Sequence, residues 1–346
     1  MKIMKLTTCL LLVTSLTALA ATEEQLNKKF TVPPGGKLVV DVGFGAISVT
    51  TNAGSEVTIE VWRKVSHNTK ANEEAFLRDH PVTFSQEGDT VAVRSRHTTH
   101  SGINWPWHFQ NRDEGKYVIT APAQFSASLR TEGGGISVSD LTGKVGADTS
   151  GGRLDFARLH GSLDGDTSGG GIRATDCAGD IKLNTSGGEI TADGGSGSLR
   201  ADTSGGGITV KNFQGPIHLA TSGGDLTIEN VAGAVHGNTS GGAIRATFSE
   251  LSEEVRLETS GGGITARIPS NAAFDLDAET SGGGASSELP VTVAGKAEHD
   301  HLKGTVNGGG KLVRLSTSGG NIHVEKTAPG KRAANKSDPS ATSQHN

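Results

Sequence analysis

The sequence predicts an all-β fold: a single-chain β-solenoid, taken as a right-handed β-helix, with about 18 residues per coil behind an N-terminal β-rich cap with insertions. Three observations predict it. Thr-Ser-Gly-Gly occurs nine times, starting at Thr149, Thr167, Thr185, Thr203, Thr221, Thr239, Thr259, Thr280 and Thr317, and the first six copies are spaced by 18 residues. A fixed period of this size marks stacked identical units. Between copies, apolar residues alternate with polar ones, as at Ile208 and Val210 and again at Ile217, Leu219 and Thr221. That is the period of a half-buried strand. Finally, 50 of 346 residues are glycine, against ten Phe, three Trp and one Tyr. Collagen needs glycine at every third position, which this chain lacks. Helical repeats are excluded too, because each glycine in a helix interior costs about 1 kcal/mol.

The segments follow in order. Residues 1–20 read as a secretory leader: Lys2 and Lys5, an apolar run from Leu6 to Leu16, and Ala18-Leu19-Ala20 as a small-residue cleavage site. The run is too short to span a bilayer. Cleavage after Ala20 takes the formal net charge from −5 to −7 and leaves Cys177 as the one cysteine. An acidic chain argues against nucleic-acid binding. A lone cysteine excludes an internal disulfide.

Residues 21–130 form the cap and first coils. Strands are expected at Lys37–Val42, Ala46–Thr50, Val57–Trp62, Thr90–Arg94, Lys116–Thr120 and Phe125–Arg130, with a short helix at Asn72–Asp79. Gly43 to Ile47 reads as a divergent first coil. The insertions are expected to cover a sheet edge that would otherwise invite aggregation.

Residues 131–326 form the repeat body. Its interior columns read as Ile136, Leu154, Ile172, Ile190, Ile208, Leu226, Ile244, Ile264 and as Val145, Leu163, Ile181, Leu199, Ile217, Val235, Val255, Leu276. The motif threonine makes a third column, and its buried hydroxyl needs a partner in a turn or in the next threonine. Glycine recurs at the other corner from Gly143 to Gly233, where positive φ or close backbone approach is required. Such an interior is expected to have little room for rings. Cys177 aligns with Leu141, Leu159, Phe213 and Val231 and reads as a small core residue. Residues 327–346 read as a disordered polar tail.

These residues resemble the bacterial "putative adhesin" family of β-strand-repeat proteins of unknown function. Three stretches carry the likeness over roughly residues 35–326. They are Tyr117–Pro122 with Leu129 and Gly134–Val138, the Thr-Ser-Gly-Gly-x-Ile coils, and Gly304–Gly310 with Leu315–Ile322. The resemblance implies a β-solenoid and brings no catalytic residues. Fold likeness alone does not supply an activity.

Two constellations are candidate sites. Trp105 and Trp107 lie in a polar insertion with His97, His100 and His108. The tryptophans suit a sugar or protein partner. The histidines suit zinc or copper. The second is an outward basic column, Lys182, Arg200, His218, His236 and Arg256, beside a column of Asp148, Asp166, Asn184, Asp202, Asn238, Glu258 and Glu279. Either the two neutralise each other on a solvated face, or they present a surface for an anionic polymer. Asp148 and Asp166 also admit a bridging cation. P-loop, Gly-x-Ser-x-Gly and His-Glu-x-x-His motifs are absent.

The expected function is therefore an exported, non-enzymatic binding or adhesion-like module, periplasmic or at the cell surface. It would bind an envelope or extracellular polymer or a protein partner, with no nucleic acid, no membrane span and no cofactor. A polysaccharide lyase or hydrolase on the same scaffold, and an envelope-stress or assembly factor, are the alternatives.

Overall fold

The structure, a computed structural model, describes residues 21–96, 113–293 and 298–328. Its strands join in one sheet of 26 strands that winds through successive coils. Most repeat coils supply two strands, such as Ile208–Gln214 and Ile217–Thr221, and in the coils Ile172–Thr185 and Ile190–Thr203 the two run together as one. Both pair in parallel with their equivalents one period away. Ile172, Ile190, Ile208, Leu226, Ile244 and Ile264 are successive register partners, and all are buried. The alternation thus sends one side chain in two to the interior.

The motif threonines stack as a third buried column. Their hydroxyls bond to turn backbone, not to each other. Thr185 Oγ1 donates to the Gly170 carbonyl of the preceding coil at 2.8 Å and accepts from Gly188 N at 3.2 Å. The same pair of bonds recurs at Thr167, Thr221, Thr239 and Thr259.

Glycine serves a different purpose at each corner. Gly215 has φ +126°, a conformation L-residues avoid. Gly206, the second glycine of its motif, has no such φ. A Cβ there would lie 2.0 Å from the Gly188 carbonyl oxygen, so backbone runs against backbone.

The expectation of an interior without room for rings is corrected. Phe156, Phe213 and Phe274 are fully buried. Each ring needs a small neighbour: Phe156 lies against Gly165, and Phe213 pairs in register with Gly195. Cys177 is buried in the same corner column, and burial pushes its thiol pKa up.

Both ends depart from chain order. Lys37–Val42 and Ala46–Asn52 do not form the outermost coil. They lie between Thr90–Ser95 with Glu114–Pro122 on one side and Ser126–Thr131 with Ile136–Ser139 on the other. At the far end Lys311–Thr317 slips between Val255–Thr259 and Phe274–Thr280. Val313, not Leu276, therefore follows Val255, and Leu276 comes one layer further out. Antiparallel strands cover the outer coils: His301–Val306 on Phe274–Thr280, Thr83–Glu87 on Thr90–Ser95, and Glu56–Val65 on Glu114–Pro122. Thr22–Thr31 then adds to Glu56–Val65. Strand pairing at the C-terminal side reaches Thr327, one residue into the stretch read as tail.

A helix, α1 (Lys70–Asp79), is capped by Thr69 Oγ1, which accepts from Asn72 N at 3.2 Å. Beneath the cap Arg63 is buried and pairs with Glu24, while also donating to the His80 carbonyl and to Ser95 Oγ.

Candidate functional site

The repeat decides what lies on the surface. In-register parallel pairing stacks residues 18 apart at about 4.8 Å, so every outward position becomes a column. Lys182, Arg200, His218, His236 and Arg256 form one such ladder. Arg314, which the sequence reading missed, extends it. It was missed because it lies inside the 37-residue gap between the last two motifs, where the 18-residue spacing no longer assigns columns.

The ladder is not a free cationic face. Lys182 Nζ lies 3.9 Å from Asp164, Arg200 Nε 2.8 Å from Asp202, and Arg256 Nε 3.5 Å from Glu258. Exposed pairs of this kind are worth about 0–1 kcal/mol each. His218 and His236 differ. The positions two residues on are Ala220 and Asn238, so the acidic column lapses beside them. Their ring centroids are 6.2 Å apart. Partial burial and the neighbouring Arg200 charge lower the His218 pKa.

A groove of about 600 Å³ runs along the neighbouring columns. One wall carries Asp148, Asp166, Asn184, Asp202, Ala220 and Asn238. The other carries the motif serines Ser168, Ser186, Ser204, Ser222 and Ser240, with the threonines at the base. The serine positions are fixed by a turn ladder in which Gly187 N donates to Ser168 O and Gly205 N to Ser186 O, coil after coil. The side chains of these serines are exposed. Asn184 Nδ2 donates to Asp166 Oδ1 at 2.8 Å, tying adjacent coils. The groove thus repeats a serine hydroxyl at each coil and a carboxylate or amide at each coil but the one carrying Ala220.

The resulting chain is a stack of near-identical coils bearing columnar side chains and closed at both ends by antiparallel strands. Residues 37–325 match the family described as Toastrack DUF4097.

The chain belongs to the Toastrack DUF4097 family.

Solved structures similar to this Toastrack chain include three bacterial proteins. A "putative adhesin" from Bacteroides fragilis NCTC 9343 shares 13% identity at TM-score 0.30, over 88% of this chain and 97% of that one. A "putative lipid binding protein" from Parabacteroides distasonis ATCC 8503 shares 11% at TM-score 0.37, over 87% and 96%. A "putative cell adhesion protein" from Clostridium sporogenes ATCC 15579 shares 12% at TM-score 0.22, over 88% and 100%. Likenesses this distant carry no ligand across to this chain. None of the curated proteins matches it.

Trp105, Trp107, His97, His100 and His108 lie outside the described residues, as do residues 1–20, the stretch expected to be a leader. Among the described residues no group of three or more His, Cys, Asp or Glu side chains is arranged to hold a metal ion. Nor is any helix there long and apolar enough to cross a membrane.

Proposed function

We propose that this protein is a non-catalytic binding module for an extended, hydroxyl-rich polymer, a glycan of the cell envelope or surface, laid along the groove parallel to the solenoid axis. The observation that carries this reading is the groove's periodicity. Each coil offers the next sugar a serine hydroxyl on one wall and, at most coils, a carboxylate or amide on the other. A polymer of identical units can satisfy such a site many times over, and weak contacts then add as avidity. The leader at residues 1–20 would deliver the module to the periplasm or beyond. Acidic substituents on the polymer would accept hydrogen bonds from the imidazoles of His218 and His236, ladder positions with no carboxylate two residues on.

The test is retention on a panel of linear polysaccharides, with the Asp166→Ala, Asp202→Ala double variant as control. At least one polymer should be retained, and the variant should bind it at least tenfold more weakly. No retention by any polymer, or unchanged retention by the variant, overturns the proposal. Release of reducing ends or of unsaturated uronate from the panel would instead identify a hydrolase or lyase.

A further inference from the structure

The cap holds a buried carboxylate that lacks a charged partner. Glu73 on α1 is 2% exposed. Its Oε2 accepts from Thr22 N at 3.1 Å and from Thr22 Oγ1 at 2.6 Å, and its Oε1 accepts from His67 N at 3.1 Å. Hydrogen bonding by the Thr22 hydroxyl, opposed by burial and aided by the backbone amides of His67 and Thr22 and by weaker electrostatic attraction from His67, holds its pKa below the usual value, so the group is ionised. Among the described residues it has no ion-pair partner. The His67 ring is in direct contact with Asp113 instead, with Nε2 3.2 Å from Oδ2, and acts on Glu73 only at longer range. A buried charge is costly unless it is paired.

The two donors from Thr22 lie one residue from the expected leader cleavage point. Consecutive backbone nitrogens are at most about 3.6 Å apart. The Ala21 nitrogen is therefore within roughly 7 Å of the carboxylate, and rotation about its own free end brings it closer once no chain precedes it.

We propose that Glu73 is the receptor site for the α-ammonium group that leader removal creates at Ala21. Hydrolysis of the Ala20–Ala21 peptide bond by a signal peptidase adds water across it. Ala20 leaves with the leader as a carboxylate, and Ala21 keeps the nitrogen, which takes up a proton to become an ammonium. In the precursor that nitrogen is a neutral amide. Processing therefore supplies a positive charge within contact range of Glu73. It fastens Thr22–Thr31, which among the described residues is paired with just one other strand, to α1 and to the outer layers of the cap. The inference rests on the leader reading and is independent of the polymer reading.

The experiment compares three forms of the full exported chain: mature, starting at Ala21; mature but N-acetylated; and extended by the uncleaved leader's last two residues. Each is made with and without Glu73→Gln. Mass spectrometry of the exported protein should give Ala21 as first residue, and a different first residue overturns the proposal. The α-amine of the mature form, titrated by NMR, should have a pKa about one unit above the ordinary 7.7–8.0, a tenfold tighter hold on the proton. In Glu73→Gln it should return to that range. The acetylated and extended forms should unfold at lower temperature than the mature form, and Glu73→Gln should abolish this difference. A normal α-amine pKa in the mature protein overturns the proposal. So does a difference among the three forms that survives Glu73→Gln.

Discussion

Replacing Thr185 by valine tests what the third interior column is for. The two side chains have the same shape, and valine is the better apolar residue. Thr185 is buried, with its hydroxyl donating to Gly170 O at 2.8 Å and accepting from Gly188 N at 3.2 Å. Valine strands that carbonyl and that amide, and each unsatisfied group costs about 1–3 kcal/mol. The added methyl group returns about 0.8 kcal/mol. The net loss is therefore about 1–5 kcal/mol, centred near 3. Thr185→Ser keeps both hydrogen bonds and loses a methyl group, for about 1 kcal/mol. Urea unfolding should find the wild type most stable, Thr185→Ser next and Thr185→Val least stable. Hydrogen exchange at the Gly188 amide should quicken in the valine variant alone. A valine variant as stable as the serine variant would refute the reasoning, because apolar packing would then be holding the turn.

Two further perturbations follow. In one motif, Gly205→Ala places its Cβ 3.4 Å from the nearest atom, whereas Gly206→Ala places it 2.0 Å from a backbone oxygen. Thermal unfolding should find the first within about 0.5 kcal/mol of wild type and the second lost from the soluble fraction or strongly destabilised. Equal behaviour would show that the stacked turns are looser than described. At the C-terminal end, burial raises the Asp277 pKa, but hydrogen bonds from Arg314 (2.8 Å) and His301 (3.0 Å), with the Lys303 charge, lower it more, and the net shift is downward. A depressed carboxylate contributes stability above its unfolded pKa of about 3.9, and that stability is lost as pH falls through the folded value. Amide protection factors in Phe274–Thr280, corrected for the intrinsic pH dependence of exchange, should therefore fall as pH drops below about 4 in the wild type and change less in Asp277→Asn. An identical acid response in both would remove Asp277 from the account.

Much of the candidate site was legible because a constant repeat turns sequence spacing into spatial columns. Lys182, Arg200, His218, His236 and Arg256 could be placed on one ladder from numbering alone, and the structure places them so. Their pairing was not legible. Whether Arg200 meets Asp202 on its own strand, or Lys182 meets Asp164 one coil away, depends on rotamers that spacing does not set. The groove was also invisible, since it arises from small residues such as Ala220 and the motif serines leaving space beside longer ones. The buried rings were missed for a related reason. A phenylalanine fits where the facing residue is glycine, as Phe156 does over Gly165, and that facing is a property of the closed coil.

By itself the sequence determined the coil: which residues face in, where the corners fall, and the register in which equivalent positions stack. Period-2 alternation and glycine placement are local, so they act on each coil separately. Only the tertiary structure decided which coil neighbours which at the ends. Val313 and Leu276 are both apolar, β-compatible residues that could follow Val255, and nothing local chooses between them. The choice belongs to the whole end layer, where Lys311–Thr317 gains a parallel partner on both sides and the outer strand Phe274–Thr280 is closed by His301–Val306. Lys37–Val42 is buried between two coils at the other end by the same logic. A coil paired on both edges exposes no open strand of its own, and that gain exists only once distant segments have met.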